Sequence, residues 1–564
     1  MQKKKAILIG AGLANMAAAV YLIQEGKWQG DCITFYALDN HGANDGSTTH
    51  FAKDEYWNKN HPMDNQTGFI ARGGRMLNYR TYVDLMDLLD RIPSATEAGM
   101  TAAEDTRSFD AAHRTFDKAR LLQGGQGIVN GSHLGLNNLS RKLLTQLIMM
   151  PDSKEEELDN VTIADYFRDN PEFFESNFWF MWETTFAFRT RSSAQELRRY
   201  MHQMIYEFTQ IEHLVGVNRT RYNQFESIML PLINYLKEQG CHFVLNRLVT
   251  DWEFKDSAMQ DEITVTGLHM TNTETNEEEF VSVDDDTAVI FTNGSITDSA
   301  TLGDFNTPAP ENMDYGAASS LWKKAAERFY NLGNPDKFFA DRDASEWVSF
   351  TLTTKNHTFL NEISRITTQV PGNALNSFIS TAPVTPLNQK DVTMSIVVHH
   401  QPHFTSQKPN ETVLWGYFLY PRRQGEFVNK PYIEMTGKEM LQELIGQLSK
   451  VDQGPINIKT KEVEIMDSVV NCIPVYMPYA SALFNNRAKS DRPKVIPKHS
   501  TNLAFTGEFV EQPYQMIFTE NSAVRSGEIA AFHFAGVPMS RLVPTPRYDK
   551  DINTLIKAAK KMFD

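Results

Sequence analysis

The stretch AILIGAGLANMAAAVYLI, residues 6–23, decides the fold. Ala6 to Ile9 form a short apolar run of the kind that fills a buried strand, glycines follow at 10 and 12, and an alanine-rich helix is expected from about Leu13. Strand, glycine turn and helix in that order open a dinucleotide-binding βαβ unit. Gly10 permits the tight turn, Gly12 lets backbone N–H groups approach a pyrophosphate, and the helix start at Ala14 and Asn15 presents its positive dipole end to the phosphates. A third glycine would normally let helix and strand pack closely, but Asn15 stands in its place. A second strand, DCITFYAL (31–38), lies at the right distance. The acid that would take the ribose hydroxyls is Asp39, two residues beyond the expected position at Ala37. The turn alone does not separate NAD from FAD.

Two later segments return to a nucleotide. NLAFTGEFVEQPYQMIFTENSAVRSGEIAAFHF (502–534) reads as a strand from Leu503 to Phe505, a turn at Gly507, Glu508 and Phe509, and a helix from about Asn521. Such a strand and helix close the isoalloxazine site in two-dinucleotide-domain flavoproteins; an ordinary strand-to-helix connection is the competing reading, and the residues leave both open. DDDTAVIFTNGSITDSA (284–300) gives another buried strand ending in Thr292, Asn293, Gly294 and Ser295. LLQGGQGIVNG (121–131) lacks a strand in front of its glycines, so a separate NAD(P)H domain is not expected.

At 564 residues the chain should hold two or three domains, one interrupting another. With 41% apolar and 22% charged residues it has a globular composition, and its net charge of −15 argues against nucleic acid as a partner. Cys32, Cys241 and Cys472 are too scattered for a disulfide framework or a zinc site, which points to a reducing cytoplasm. The basic, apolar N-terminus imitates a secretory signal but is broken by Gly10 and Gly12 where a strand turns into a helix. No apolar run approaches the ~20 residues of a bilayer span.

The expected class is α/β, a mixed α+β multidomain protein with a Rossmann-like domain interrupted by a substrate domain and helical segments. Residues 1–95, 211–305 and 501–548 are read as parts of the nucleotide domain, 96–210 as a helical, aromatic-rich lid, 306–500 as the substrate domain and 549–564 as an amphipathic tail. PEFFESNFWFMWETTFAF (171–188) carries six phenylalanines and two tryptophans, a density that suits a core or the wall of an acyl-chain site. TMSIVVHHQPHF (393–404) holds His399, His400 and His403, but neighbouring strand positions face opposite ways and no acid completes a ligand set, so no metal is expected. In the tail, Ile552, Leu555, Ile556, Ala559, Met562 and Phe563 fall on one helical face beside Lys557, Lys560 and Lys561. That helix suits either peripheral contact with an anionic membrane or docking on the protein body or a second subunit.

GFIARGGRMLNYRTY (68–82), RIPS (91–94), WETTFAFRTRSSAQELRRYMHQ (182–203), RYNQFESIMLPL (221–232), FTNGSIT (291–297), MSIVVHHQPHF (394–404) and FTGEFVEQP (505–513) together resemble the oleate hydratase family, also called myosin-cross-reactive antigens. The blocks run in family order over nearly the whole chain. The resemblance implies that the glycine turn and C-terminal segment bind FAD, and that water is added across the cis-9 double bond of long-chain unsaturated fatty acids such as oleate and linoleate, giving 10-hydroxy acids. The flavin would then act structurally or electrostatically, with the turn Arg72, Gly73, Gly74 and Arg75 lying against it. It also implies proton donation by Tyr200, a carboxylate-binding end supplied by the histidine block (His400 and His403 with Gln401) and, as in many relatives, a homodimer.

One residue departs from the family pattern. Most members of the family carry glutamate after the second arginine, and activation of the attacking water is assigned to that acid; here Met76 stands there and can neither accept a proton nor polarise water. Asn78 is the expected substitute holder of the water. The missing acid keeps a flavin-dependent lipid oxidoreductase or isomerase, and a catalytically impaired fatty-acid-binding flavoprotein, open as alternatives.

Overall fold

The computed structural model describes residues 3–38, 50–51, 68–71, 73, 76–256, 261–312, 314–368, 372, 374–380 and 390–563. Asp39, Arg72, Gly74 and Arg75 lie outside the described residues. The opening stretch forms a strand, Lys5–Ile9, and a helix, Leu13–Gln24. The strand stands at the centre of a five-stranded parallel sheet in the order Leu503–Thr506, Thr287–Thr292, Lys5–Ile9, Ile33–Tyr36, His242–Val244. Its apolar residues are buried whichever face they point to, as a parallel sheet covered by helices requires.

The helix Leu13–Gln24 packs along the last long helix, Glu520–Ala535. A Cβ on Gly527 would lie 2.1 Å from the Ala14 carbonyl oxygen, so the glycine that permits close packing belongs to the partner helix. Asn15 takes a different task. Fully buried, it donates to the carbonyls of Ile9 (2.9 Å) and Gly10 (2.8 Å) and accepts from the Thr506 hydroxyl (2.7 Å), pinning the glycine turn to the outer strand.

HFVLNRLV (242–249), a largely apolar run in the sequence, forms parts of two strands. Asn246 sits in the left-handed region (φ 57°), which asparagine tolerates better than most residues, and turns the chain from His242–Val244 in the parallel sheet into Arg247–Phe254. That second strand pairs with Val265–Asn272, which pairs with Glu278–Ser282, in a three-stranded antiparallel sheet.

The third sheet has eight strands in the order Thr301–Leu302, Val469–Met477, Trp347–Thr354, Thr412–Phe418, Val392–Val398, Ala374–Ile379, Leu121–Gln123, Gly127–Ile128. Within the 96–210 segment, expected to be helical, Leu121–Gln123 runs parallel to Ala374–Ile379 and turns back at Gly125 (φ 77°). Three apolar residues are too few to show a period in the sequence. The strands alternate cleanly. Val348, Phe350 and Leu352 pack on a core with Leu441, Leu444 and Leu448 of the helix Gly437–Val451, whereas Thr351 and Thr353 face the other way and accept the amides of Ala71 and Phe69.

Most of the aromatic segment is core. Phe173, Phe178, Trp179 and Trp182 stack on one another and on Phe167 and Phe208. The tail forms a helix, Ile552–Phe563, that docks on the body through Ala558 and Met562, with Arg141 donating to the Met562 carbonyl (2.6 Å) and Lys561 paired to Glu212 (3.1 Å). Ile552, Ile556 and Phe563 remain exposed. Among the described residues no helix is long and apolar enough to cross a membrane.

Candidate active site

Two clefts meet inside the molecule. The first, about 670 Å³, lies at the C-terminal end of the parallel sheet between Gly12 and Ala14, the strand end at Thr292, Gly294 and Ser295, and the turn Gly507, Glu508 and Phe509. Gly10 and Gly507 both hold positive φ (91° and 95°), which only glycine adopts without strain. Gly12 caps the helix Leu13–Gln24 in extended conformation, and among the described residues no side chain takes up the free N–H groups of its first turn. Those donors, with nothing larger than a methyl at residues 12 and 14, fit a pyrophosphate. Asn293 is buried behind the wall, its amide donating to the Phe509 carbonyl (3.2 Å), so it joins two walls of the cleft.

The second cleft, about 1060 Å³, is mostly apolar. One wall is a row of cross-strand neighbours on the eight-stranded sheet: Leu375 opposite Val397, Val397 opposite Trp415, and Trp347 opposite Met477. Thr184, Thr185, Phe186 and Ala187 at the end of the aromatic helix form another, so that segment supplies both core and cavity wall. Gly73, Met76, Leu77 and Asn78 close a third side. The clefts share Ile296, Phe518 and Glu520. Phe518 at this junction holds φ 65°, a left-handed conformation costly for an aromatic residue and typical of positions fixed by function.

Tyr200 projects into the apolar cleft from the helix Ala194–Met204. Arg199, beside it, is anchored behind the helix by Glu155 (2.9 Å) and Glu511 (2.5 Å), which fixes the face that Tyr200 presents. The Tyr200 hydroxyl donates to the Ile517 carbonyl at 2.6 Å, and burial holds its pKa well above that of a free phenol. Met204 ends that helix and Glu207 follows in the 3-10 turn Ile205–Thr209, and both line the cleft. Asn78 is fully engaged: its amide donates to Glu207 Oε1 (3.2 Å) and to the Gly216 carbonyl (3.0 Å), and its oxygen accepts from Tyr206 and the Arg80 amide. It has no position left for a water and instead holds Glu207, a residue that the motif reading passed over. The signal was present: Tyr200, Met204, Glu207 and Ile211 fall at i, i+4, i+7 and i+11, one helical stripe.

The histidine block stands apart from both clefts. His399 and His403 stack with ring centroids 3.8 Å apart, and burial, with the Arg219 charge nearby, pushes His403 down to about 3. Gln401 donates to the carbonyls of His399 and Val413, and His400 packs edge-on to His113.

The family model described as the MCRA family matches residues 3–532. A linoleate hydratase of Lactiplantibacillus plantarum is 79% identical over 564 residues, covering 100% of this chain and 99% of that protein. An oleate hydratase of Streptococcus pyogenes serotype M49 (strain NZ131) is 32% identical over 538 residues, 95% of this chain and 85% of that protein. Among solved structures, cyclohexylamine oxidase from Brevibacterium oxydans IH-35A matches with a TM-score of 0.52 at 12% identity, covering 95% of this chain and 99% of that one, a likeness of fold alone.

Proposed function

This chain belongs to the MCRA family, and from that premise we propose that it is a hydro-lyase that adds water across the cis-9 double bond of long-chain unsaturated fatty acids, linoleate and oleate, to give 10-hydroxy acids. The observation that carries this reading is the junction itself: a long apolar cavity, with a buried tyrosine in its wall, opening into a dinucleotide cleft at Ile296, Phe518 and Glu520.

The residues fit FAD as the dinucleotide. Gly10 and Gly12 with the first turn after Leu13 would take the pyrophosphate, and Gly294, Ser295, Glu508 and Phe509 would flank the flavin. When bound, a reduced flavin would supply a charged, shaped wall at the junction, since hydration moves a proton and a hydroxyl and consumes no electrons.

The chain's own groups carry the proton chemistry. The acyl chain lies along Leu375, Val397 and Trp415, where its burial is worth roughly 0.8 kcal/mol per methylene. Tyr200 donates a proton to one alkene carbon. Burial keeps its phenol protonated, and the proton, given to the Ile517 carbonyl in the structure, turns from that carbonyl to the alkene carbon in the reaction.

The test is an anaerobic incubation of the flavin-loaded, reduced protein with linoleate in oxygen-18 water. Labelled 10-hydroxy acid is expected. Flavin reduction by lipid would point instead to an oxidoreductase, and saturable binding without gain of water to a binding protein; either result overturns the hydratase reading.

A further inference from the structure

We propose that Glu207 is the general base that takes the proton of the attacking water, filling from the Tyr200 side of the cavity the role that a residue at position 76 cannot fill here. The inference rests on the hydratase reading above.

Hydration needs a proton donor on one alkene carbon and a proton acceptor beyond the water on the other. Spacings of about 3 Å at each contact, across two carbons and a water, call for groups roughly 9–10 Å apart. The helix that carries Tyr200 ends at Met204 and Glu207 follows in the 3-10 turn Ile205–Thr209; a rise of about 1.5 Å per residue in the first and about 2.0 Å in the second gives roughly 12 Å along the chain axis, of the same order as that separation. Tyr200 and Glu207 are seven residues apart, and both line the apolar cavity.

The position is built to hold a carboxylate. Glu207 is buried, and its Oε1 accepts from the Asn78 amide at 3.2 Å. Residue 216 must be glycine for the carboxylate to lie where it does: a Cβ there would sit 1.9 Å from Glu207 Oε1. The bridge between Leu77 and Asn218 clamps the 76–78 segment against the same loop, which brings Met76 and Glu207 to one end of the cavity. Three other hydroxyls of the cavity are engaged: those of Thr184 and Thr185 donate to their own helix, and that of Tyr417 donates to the Thr184 carbonyl. Glu520 also lines the cavity, but at the junction with the nucleotide cleft, at the start of the last long helix.

The step balances within the site. The alkene π pair takes the Tyr200 proton onto one carbon, and a water lone pair forms the C–O bond to the other. The departing water proton passes to the Glu207 carboxylate, leaving a carboxylic acid and a tyrosinate. Transfer of that proton back to Tyr200 restores both groups, so one water is consumed and no oxidant or reductant is needed. Burial raises the Glu207 pKa, with the Asn78 hydrogen bond pulling against it, which makes it a stronger base than an exposed glutamate.

Glu207→Gln keeps the volume and removes the base. With linoleate and the reduced, flavin-loaded protein, kcat should fall by about 10²–10⁴-fold while KM and flavin retention stay within about threefold. The parent's kcat should also show a one-proton acid limb that Glu207→Gln lacks. Charged and titratable groups that act on Glu207 include the Arg80 guanidinium and the Tyr206 phenol, the latter held above its usual range by burial. If Glu207→Gln keeps a kcat within threefold of the parent, the proposal falls and the hydratase reading stands; if the parent itself forms no hydroxy acid, the reading falls first and the proposal with it. Should Glu207→Gln lose its fold, Glu207→Asp and the parent's profile decide. A kcat flat from about pH 4.5 to 7.5 overturns the proposal, and an acid limb whose midpoint moves in Glu207→Asp supports it.

Discussion

Gly527→Ala tests whether the contact between the first and last long helices sets the nucleotide cleft. The new Cβ would lie 2.1 Å from the Ala14 carbonyl oxygen and 2.9 Å from the Ala18 amide nitrogen, both backbone atoms of a helix that cannot yield locally. Ordinary contact begins more than 1 Å farther out, so the helices must part by about that amount. Overpacking of this kind costs about 1–3 kcal/mol, and two rigid backbones place it near the upper figure. Replacing glycine by alanine inside a helix returns up to about 1 kcal/mol, leaving a net loss of about 2 kcal/mol. The free protein can relax by separating the helices, but a bound dinucleotide draws both N-termini together again. Up to the whole loss then appears as weaker flavin binding, at most about thirtyfold at 1.4 kcal/mol per decade. Flavin titration of the apoprotein by fluorescence quenching, with thermal unfolding of the same sample, measures both shares. An unaltered affinity together with an unaltered melting temperature would refute the argument that Gly527 replaces the missing third glycine of the turn.

Tyr200→Phe should lower kcat for linoleate hydration by about 10²–10⁴-fold at nearly constant KM, measured by chromatography of the hydroxy acid; a merely structural tyrosine would leave turnover intact. Asn15→Ala removes the side-chain hydrogen bonds that tie the glycine turn to its neighbours, and a loss of about 2–4 kcal/mol is expected in denaturant unfolding. Glu528→Gln addresses pH. Burial, reinforced by Asp84, pushes Glu528 up to about 8; a folded-state pKa above the unfolded value means that the folded protein loses stability as pH rises from about 4.5 through 8. The glutamine variant should therefore be more stable than the parent at pH 8 by on the order of a few kcal/mol, melting higher there, and match it near pH 4. Equal melting temperatures at both pH values would remove Glu528 as the cause.

What the sequence determined by itself is the nucleotide half of the protein. Strand, turn and helix are local structures, and Gly10 and Gly507 act through left-handed backbone angles that neighbouring residues do not alter. The same holds for the family resemblance, which rests on contiguous blocks. The tertiary structure decided the rest, because the apolar cavity is assembled from residues far apart in the chain. Trp347, Leu375, Val397 and Trp415 share a wall only through the register of non-consecutive strands, which no local period reports. Asn15 has the position of a nucleotide residue and the contacts of a core one, since Thr506, its partner, is 491 residues away. Glu207 is the sharpest case. Its i, i+7 spacing from Tyr200 is visible in the sequence, but its relation to Met76 and Asn78 depends on a bridge between Leu77 and Asn218, and only folding across that distance brings the glutamate to the cavity wall beside Asn78.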